Sequence, residues 1–132
     1  MSVLRSPYLL RYALIADAVG SGAVAVLLLI GSAALSPLLG LPEELLNGVG
    51  IALVPWVLGV GFLASMSQPP AGAIWTVIAL NVATAGSAVL ALFAAGLSPT
   101  MLGYAFVLTQ AAAVLAFADF QFFGLRNVSA TA

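Results

Sequence analysis

The sequence predicts an all-α fold: a polytopic membrane protein in which four transmembrane helices form one bundle. Three observations carry that reading. Hydrophobic residues make up 64% of the 132 residues and charged ones 5%, against about 25% charged in a soluble domain, whose surface must be wetted. The apolar residues gather into four stretches, each long enough at about 1.5 Å per residue to cross roughly 30 Å of hydrocarbon. Between the stretches stand Pro, Gly and Ser, which end and restart helices. The whole chain, 1–132, reads as a single integral membrane domain.

The first helix is expected over 12–35. Its flank carries Arg5, Arg11, Tyr8 and Tyr12, side chains that suit a headgroup layer because each has an apolar body and a polar tip. Pro7 is placed to start a short interfacial turn. The apolar run is longer than the roughly 7–15 residues of a signal-peptide core, contains Asp17 and meets no clear cleavage motif, so it is read as retained.

Ser36-Pro37 and Leu41-Pro42 are expected to form the first loop. Helix two, 43–65, then opens on Glu43 and Glu44, which favour the positive end of the helix dipole. Pro55 near its middle removes the bond to the Ile51 carbonyl. Ser65 to Pro70 is the next break. Helix three is expected over 71–95, with Trp75 at its interfacial end and Asn81 inside. Gly96-Leu97-Ser98-Pro99 reads as a tight connection in which Ser98 caps helix four and Pro99 takes its first position. That helix is expected over 99–125, followed by a short polar tail from Asn127.

Four spans put both termini on one side. Arg5, Arg11 and Arg126 all flank that side, whereas the opposite loops carry only Glu43 and Glu44. The positive-inside rule therefore predicts cytoplasmic termini, in a bacterial-type inner (plasma) membrane. A weak repeat suggests two tandem helical hairpins. Leu35-Ser36-Pro37 returns as Leu97-Ser98-Pro99, and Asp17 and Asn81 are each followed five residues later by a glycine, Gly22 and Gly86.

The polar residues inside the apolar stretches are the candidate site. At about 100° per residue, Asp17 shares a stripe with Gly20, Ser21, Val24, Leu28, Gly31 and Ser32, while Ile15, Val19, Val26, Leu29 and Ile30 lie opposite. A carboxylate in a membrane helix costs about 2.5–3.5 kcal/mol against lipid, so Asp17 is expected to face the bundle. On helix three, Asn81 aligns with Ala85, Ala88 and Leu92. On helix four, Asp119 aligns with Ala105, Leu108, Ala112, Ala116 and Arg126, and Gln110 and Gln121 fall on the opposite face. Helix two offers Gly48, Ala52, Pro55 and Gly59 on one side. Counted from the cytoplasmic ends, Asp17, Asn81 and Asp119 lie at similar depth, with Arg11 above the first and Arg126 above the last. The expectation is a neutral polar cluster of Asp17, Asn81, Asp119, Arg11 and Arg126. Its two readings are glue between helices and a proton or substrate site. Gln110, without a charge partner, is the candidate contact for a neighbouring helix, a ligand or a second copy. Trp56 needs a partner for its indole N–H and otherwise reads as core filler.

Composition also narrows function. The absence of His and Cys removes His- or Cys-based metal and haem ligation and every Ser-His or Cys-His nucleophile. Three Arg and no Lys argue against nucleic acid as a partner. In size and helix number the chain is similar to small multidrug transporters and small fluoride channels. However, Ala16-Asp17-Ala18-Val19-Gly20-Ser21-Gly22 does not carry the motif of the first, and the glycine and phenylalanine features of the second have no counterpart. The expected role is non-enzymatic and without cofactor or metal. It is that of an accessory, scaffold or assembly subunit acting through helix contacts, as a homodimer or in a larger membrane complex. The alternative is a small proton-coupled transporter or channel using Asp17 with Asp119 or Asn81.

Overall fold

The computed structural model describes residues 8–94 and 96–131, with side chains through Val128. Four helices follow one another: α1 Leu9–Leu39, α2 Glu43–Ser65, α3 Ala71–Ala91 and α4 Met101–Thr131. All four are long and apolar enough to cross a membrane, and no strand occurs among the described residues. The flank expected to hold Arg5 and the Pro7 turn lies outside the described residues.

Boundaries of three helices, α1, α3 and α4, differ from expectation, and α1 already begins at Leu9 instead of 12. α1 runs through Ser36-Pro37 and stops at Gly40, which takes the left-handed conformation at φ 66°. The stop signal is therefore the glycine, whose missing Cβ permits that turn, and not the proline. The Gly40 and Leu41 N–H groups both return to the Ser36 carbonyl, at 2.9 and 3.3 Å, and the Ser36 hydroxyl donates to the Leu41 carbonyl at 2.6 Å. α3 ends at Ala91, four residues early, because the N–H groups of Leu92, Phe93 and Ala94 bond three residues back instead of four, tightening the chain out of α geometry.

α4 begins later and ends later than expected. Its N-cap is Thr100, not Ser98: the Thr100 hydroxyl accepts the Gly103 N–H at 3.1 Å and donates to the Leu38 carbonyl at 2.6 Å. One side chain thus caps α4 and satisfies the end of α1. The Thr100 N–H also reaches the Leu39 carbonyl at 3.0 Å. At its other end α4 continues through Asn127 to Thr131 instead of fraying into a tail. As a result Leu35-Ser36-Pro37 lies inside a helix and Leu97-Ser98-Pro99 before one, so the two copies of the repeat do not occupy equivalent positions.

The helices alternate in direction and pack in the order α2, α1, α4, α3. Two close approaches set the α1–α4 crossing. A Cβ on Gly124 would lie 2.5 Å from the Leu10 Cα, and one on Gly103 would run into the Leu39 carbonyl oxygen. Only glycine allows backbones that near at both ends of one helix pair. Near the termini, Leu10, Leu14, Val60, Ala64, Ile74, Val77 and Leu125 form one apolar core drawn from all four helices. At the opposite end Leu28, Leu39, Leu41 and Leu46 form a second. α2 and α3 both contribute to the first core but are not a packed helix pair, and towards the second core residues of both line a cleft.

Candidate functional site

Between the two cores sits Asp17, fully buried. The helical spacing that predicted its direction holds. Ser32 and Leu28 on the same stripe are buried and Ser21 and Val24 half-buried, while Ile15, Val19, Val26, Leu29 and Ile30 are exposed. The Ser21 hydroxyl, one turn along α1, donates to Asp17 Oδ1 at 3.0 Å. From α2, Trp56 Nε1 donates to the same oxygen at 3.4 Å. From α3, Asn81 Nδ2 donates to Oδ2 at 2.9 Å, and from α4, Gln121 Nε2 does so at 2.7 Å. Asn81 Nδ2 also donates to Gln121 Oε1 at 3.1 Å.

One carboxylate therefore ties all four helices. A carboxylate accepts at about four lone-pair positions, and here each oxygen takes two donors. Because it cannot donate, both amides must turn their NH2 groups towards it, and the second N–H of Asn81 then meets the Gln121 carbonyl. The amide orientations are fixed by the network itself. Among the described residues, no buried side-chain nitrogen or oxygen lacks a partner. The negative charge is met by four dipoles and no cation. Closed in this way, the Asp17 carboxylate offers no free lone pair to a substrate, and its chemistry as arranged is cohesive.

The five-residue cluster expected from the sequence is brought together only in part. Asp17 and Asn81 meet; Asp119, Arg11 and Arg126 are exposed and stand apart from them. Arg11 donates to the Met66 carbonyl at 3.4 Å, at the C-terminal end of α2, where a cation suits the dipole. The Arg126 guanidinium lies 5.7 Å from the centre of the Phe122 ring, a cation–π contact within its own helix. Among the described residues neither arginine pairs with an acid. The stripe expected to carry Asp119 into the cluster holds Ala105, Leu108, Ala112 and Ala116, and Leu108 is exposed. In the structure Ala105 and Ala112 are exposed and Ala116 half-buried, whereas Gly103, Ala111, Ala118, Gln121 and Gly124 form the packed side. Small residues lie on both faces of α4, so size alone could not choose between them.

Gln121 and Trp56 are the hub members missed as hydrogen-bonding partners. A usable signal was present: Gln110 and Gln121 share one stripe with Gly103, and two amides on one face mark a polar seam better than one isolated acid. On α2 the packed side carries Leu46, Gly50, Val60 and Ala64, and the stripe of Gly48, Ala52, Pro55 and Gly59 faces outward. The Trp56 indole follows the packed side and reaches the hub from there.

Gln110 lies elsewhere. It is half-buried and lines a cavity of about 340 Å³ between the hub and the second core, walled by residues from all four helices, Leu28, Leu53, Ala88 and Val114 among them. Ser21 stands at the end of this cavity nearest Asp17. Among the described residues, no three His, Cys, Asp or Glu side chains come together as a metal site. No protein-family model, curated protein or solved structure matches the chain.

Proposed function

We propose that the chain is an integral membrane protein with a non-enzymatic role, an accessory or assembly subunit that works through contacts between helices. The observation that carries this reading is Asp119. It is exposed on the outer face of α4, on the same stripe as the exposed Ala112 and Ala105 two and four turns away, and the midpoint of the helix falls at Ala116, three residues away. A carboxylate facing lipid at that depth costs up to about 2.5–3.5 kcal/mol. A second helix covering it removes that cost, and alanines along the same stripe let the helix come close. The outward stripe of Gly48, Ala52, Pro55 and Gly59 on α2 supplies a second small-residue face of the same kind. Meanwhile the Asp17 carboxylate is satisfied within the chain, each oxygen taking two donors. Under this proposal both termini face the cytoplasm of a bacterial-type cell, on the count of Arg5, Arg11 and Arg126 against Glu43 and Glu44.

The test is purification with native lipids, followed by mass spectrometry of what accompanies the chain. A reproducible assembly, either self-associated or with another membrane protein, is expected, and Asp119→Leu should weaken it. Isolation of wild type and variant alike as lone monomers would overturn the reading.

One observation favours transport as the second reading: the cavity reaches Ser21, whose hydroxyl already bonds Asp17. Proton-coupled flux in proteoliposomes, lost in Asp17→Asn while the fold persists, would support it.

A further inference from the structure

From the shape and chemistry of the cleft between α2 and α3 we infer a binding site for one uncharged, single-chain lipid bearing a hydroxyl or carbonyl group. The inference rests on the membrane reading and not on the subunit role.

The polarity of the walls defines the ligand first. They are aliphatic and aromatic except for Ser21, Thr84 and Gln110. Ser21 donates to Asp17, but neither the Thr84 hydroxyl nor the Gln110 carboxamide has a hydrogen-bonding partner among the described residues. An amide left unpaired in hydrocarbon is costly, and plain acyl chains cannot relieve it. A ligand hydroxyl can accept from the Gln110 NH2 or donate to its carbonyl oxygen; a ligand carbonyl can accept.

Charge defines it next. No arginine lines the cleft, so an anionic head would find no counter-ion and would approach the carboxylate behind Ser21. A cationic head gains nothing from Asp17, which is fully buried with each oxygen already taking two donors. The head must be neutral.

Shape and access complete the assignment. The lining runs from Gly20 to Leu28 along α1 and from Thr84 on α3 to Leu92 just past its end, about 12 Å in each case. A slot of that length parallel to the helices suits an extended chain better than a compact ring. Its rim residues Leu45 and Val49 on α2 and Thr84 and Ala91 on α3 are exposed, so the opening faces sideways. A ligand dissolved in the bilayer can enter without crossing water.

The probe is hexadecanol carrying a chain diazirine, photolysed with the full-length protein in phosphatidylcholine nanodiscs. It should label α3 and α4 peptides of the cleft saturably, with competition by plain hexadecanol. Gln110→Leu, which removes an unpartnered group and should fold, is expected to weaken this binding about three- to tenfold, the worth of one hydrogen bond. Ala88→Trp, which fills the slot, should abolish it. The same diazirine on hexadecane or on palmitate should label the cleft less. Unsaturable labelling spread over outer residues such as Val19, Ile30 and Phe62 would overturn the site while leaving the membrane reading intact. Unchanged affinity in Gln110→Leu, or equal labelling by the palmitate probe, would overturn the neutral polar head.

Discussion

Gln121 Nε2 donates to Asp17 Oδ2 at 2.7 Å across 104 positions of sequence. It joins α4 to α1 between the two glycine crossings, close to the one at Gly124, and brings the last helix to the same carboxylate that α2 and α3 already reach. Apolar packing along these helices is weakly directional, since Leu, Val and Ala occur on every face. A buried acceptor that needs four donors has far fewer solutions. The hub therefore sets register more than it adds bulk stability.

Asp17→Asn should destabilise the bundle even though the side chain keeps its shape. One of the two oxygens becomes an NH2 group and confronts donors with a donor. The expected loss is about 1–3 kcal/mol, the cost of an unmade buried hydrogen bond, read as a lowered midpoint of unfolding in mixed micelles. An unchanged midpoint would mean that the carboxylate is not holding helices together.

Gln121→Leu and Asp119→Leu sit two residues apart and should behave in opposite ways. The first strips a donor from Asp17 and an acceptor from Asn81, at a cost of about 1–3 kcal/mol. The second removes an exposed carboxylate that touches nothing in the bundle, so monomer stability should hold or rise. Parallel unfolding curves for the two variants would settle it; equal loss in both would place Asp119 inside after all.

Gly103→Ala should be poorly tolerated, because the added methyl runs into the Leu39 carbonyl. Overpacking of this kind costs about 1–3 kcal/mol. Gly48→Ala, with nothing within 4 Å of the new atom, should instead stabilise α2 by up to about 1 kcal/mol through helix propensity. Thermal unfolding of the pair gives the sign of each effect, and a stabilising Gly103→Ala would contradict the close crossing.

Thr100→Val should cost about 0.5–2 kcal/mol by removing the α4 cap, with the bond to the Leu38 carbonyl lost as well. Ser98→Ala should change stability by no more than a few tenths, since that hydroxyl caps nothing. Hydrogen exchange at the Gly103 amide offers a local check: faster exchange is expected in Thr100→Val only.

The helix count, the span of α2 and the inward direction of Asp17 and Asn81 were all legible in the residues. Length, hydropathy and 3.6-residue periodicity are local properties, and one acid beside small residues and opposite bulky ones leaves little choice of face. The ends of α1, α3 and α4 were less legible, because proline was weighted above the left-handed glycine at Gly40 and Ser98 above Thr100.

The sequence by itself thus determined four span-length helices and a carboxylate that must be buried among them. Which partners it would find was decided only by tertiary structure. α4 carries small residues on two faces, and its sequence does not say whether Asp119 or Gln121 turns inward. That choice was made by the backbone approaches at Gly103 and Gly124, which fix the rotation of α4 against α1 and bring Gln121, not Asp119 or an arginine, to Asp17.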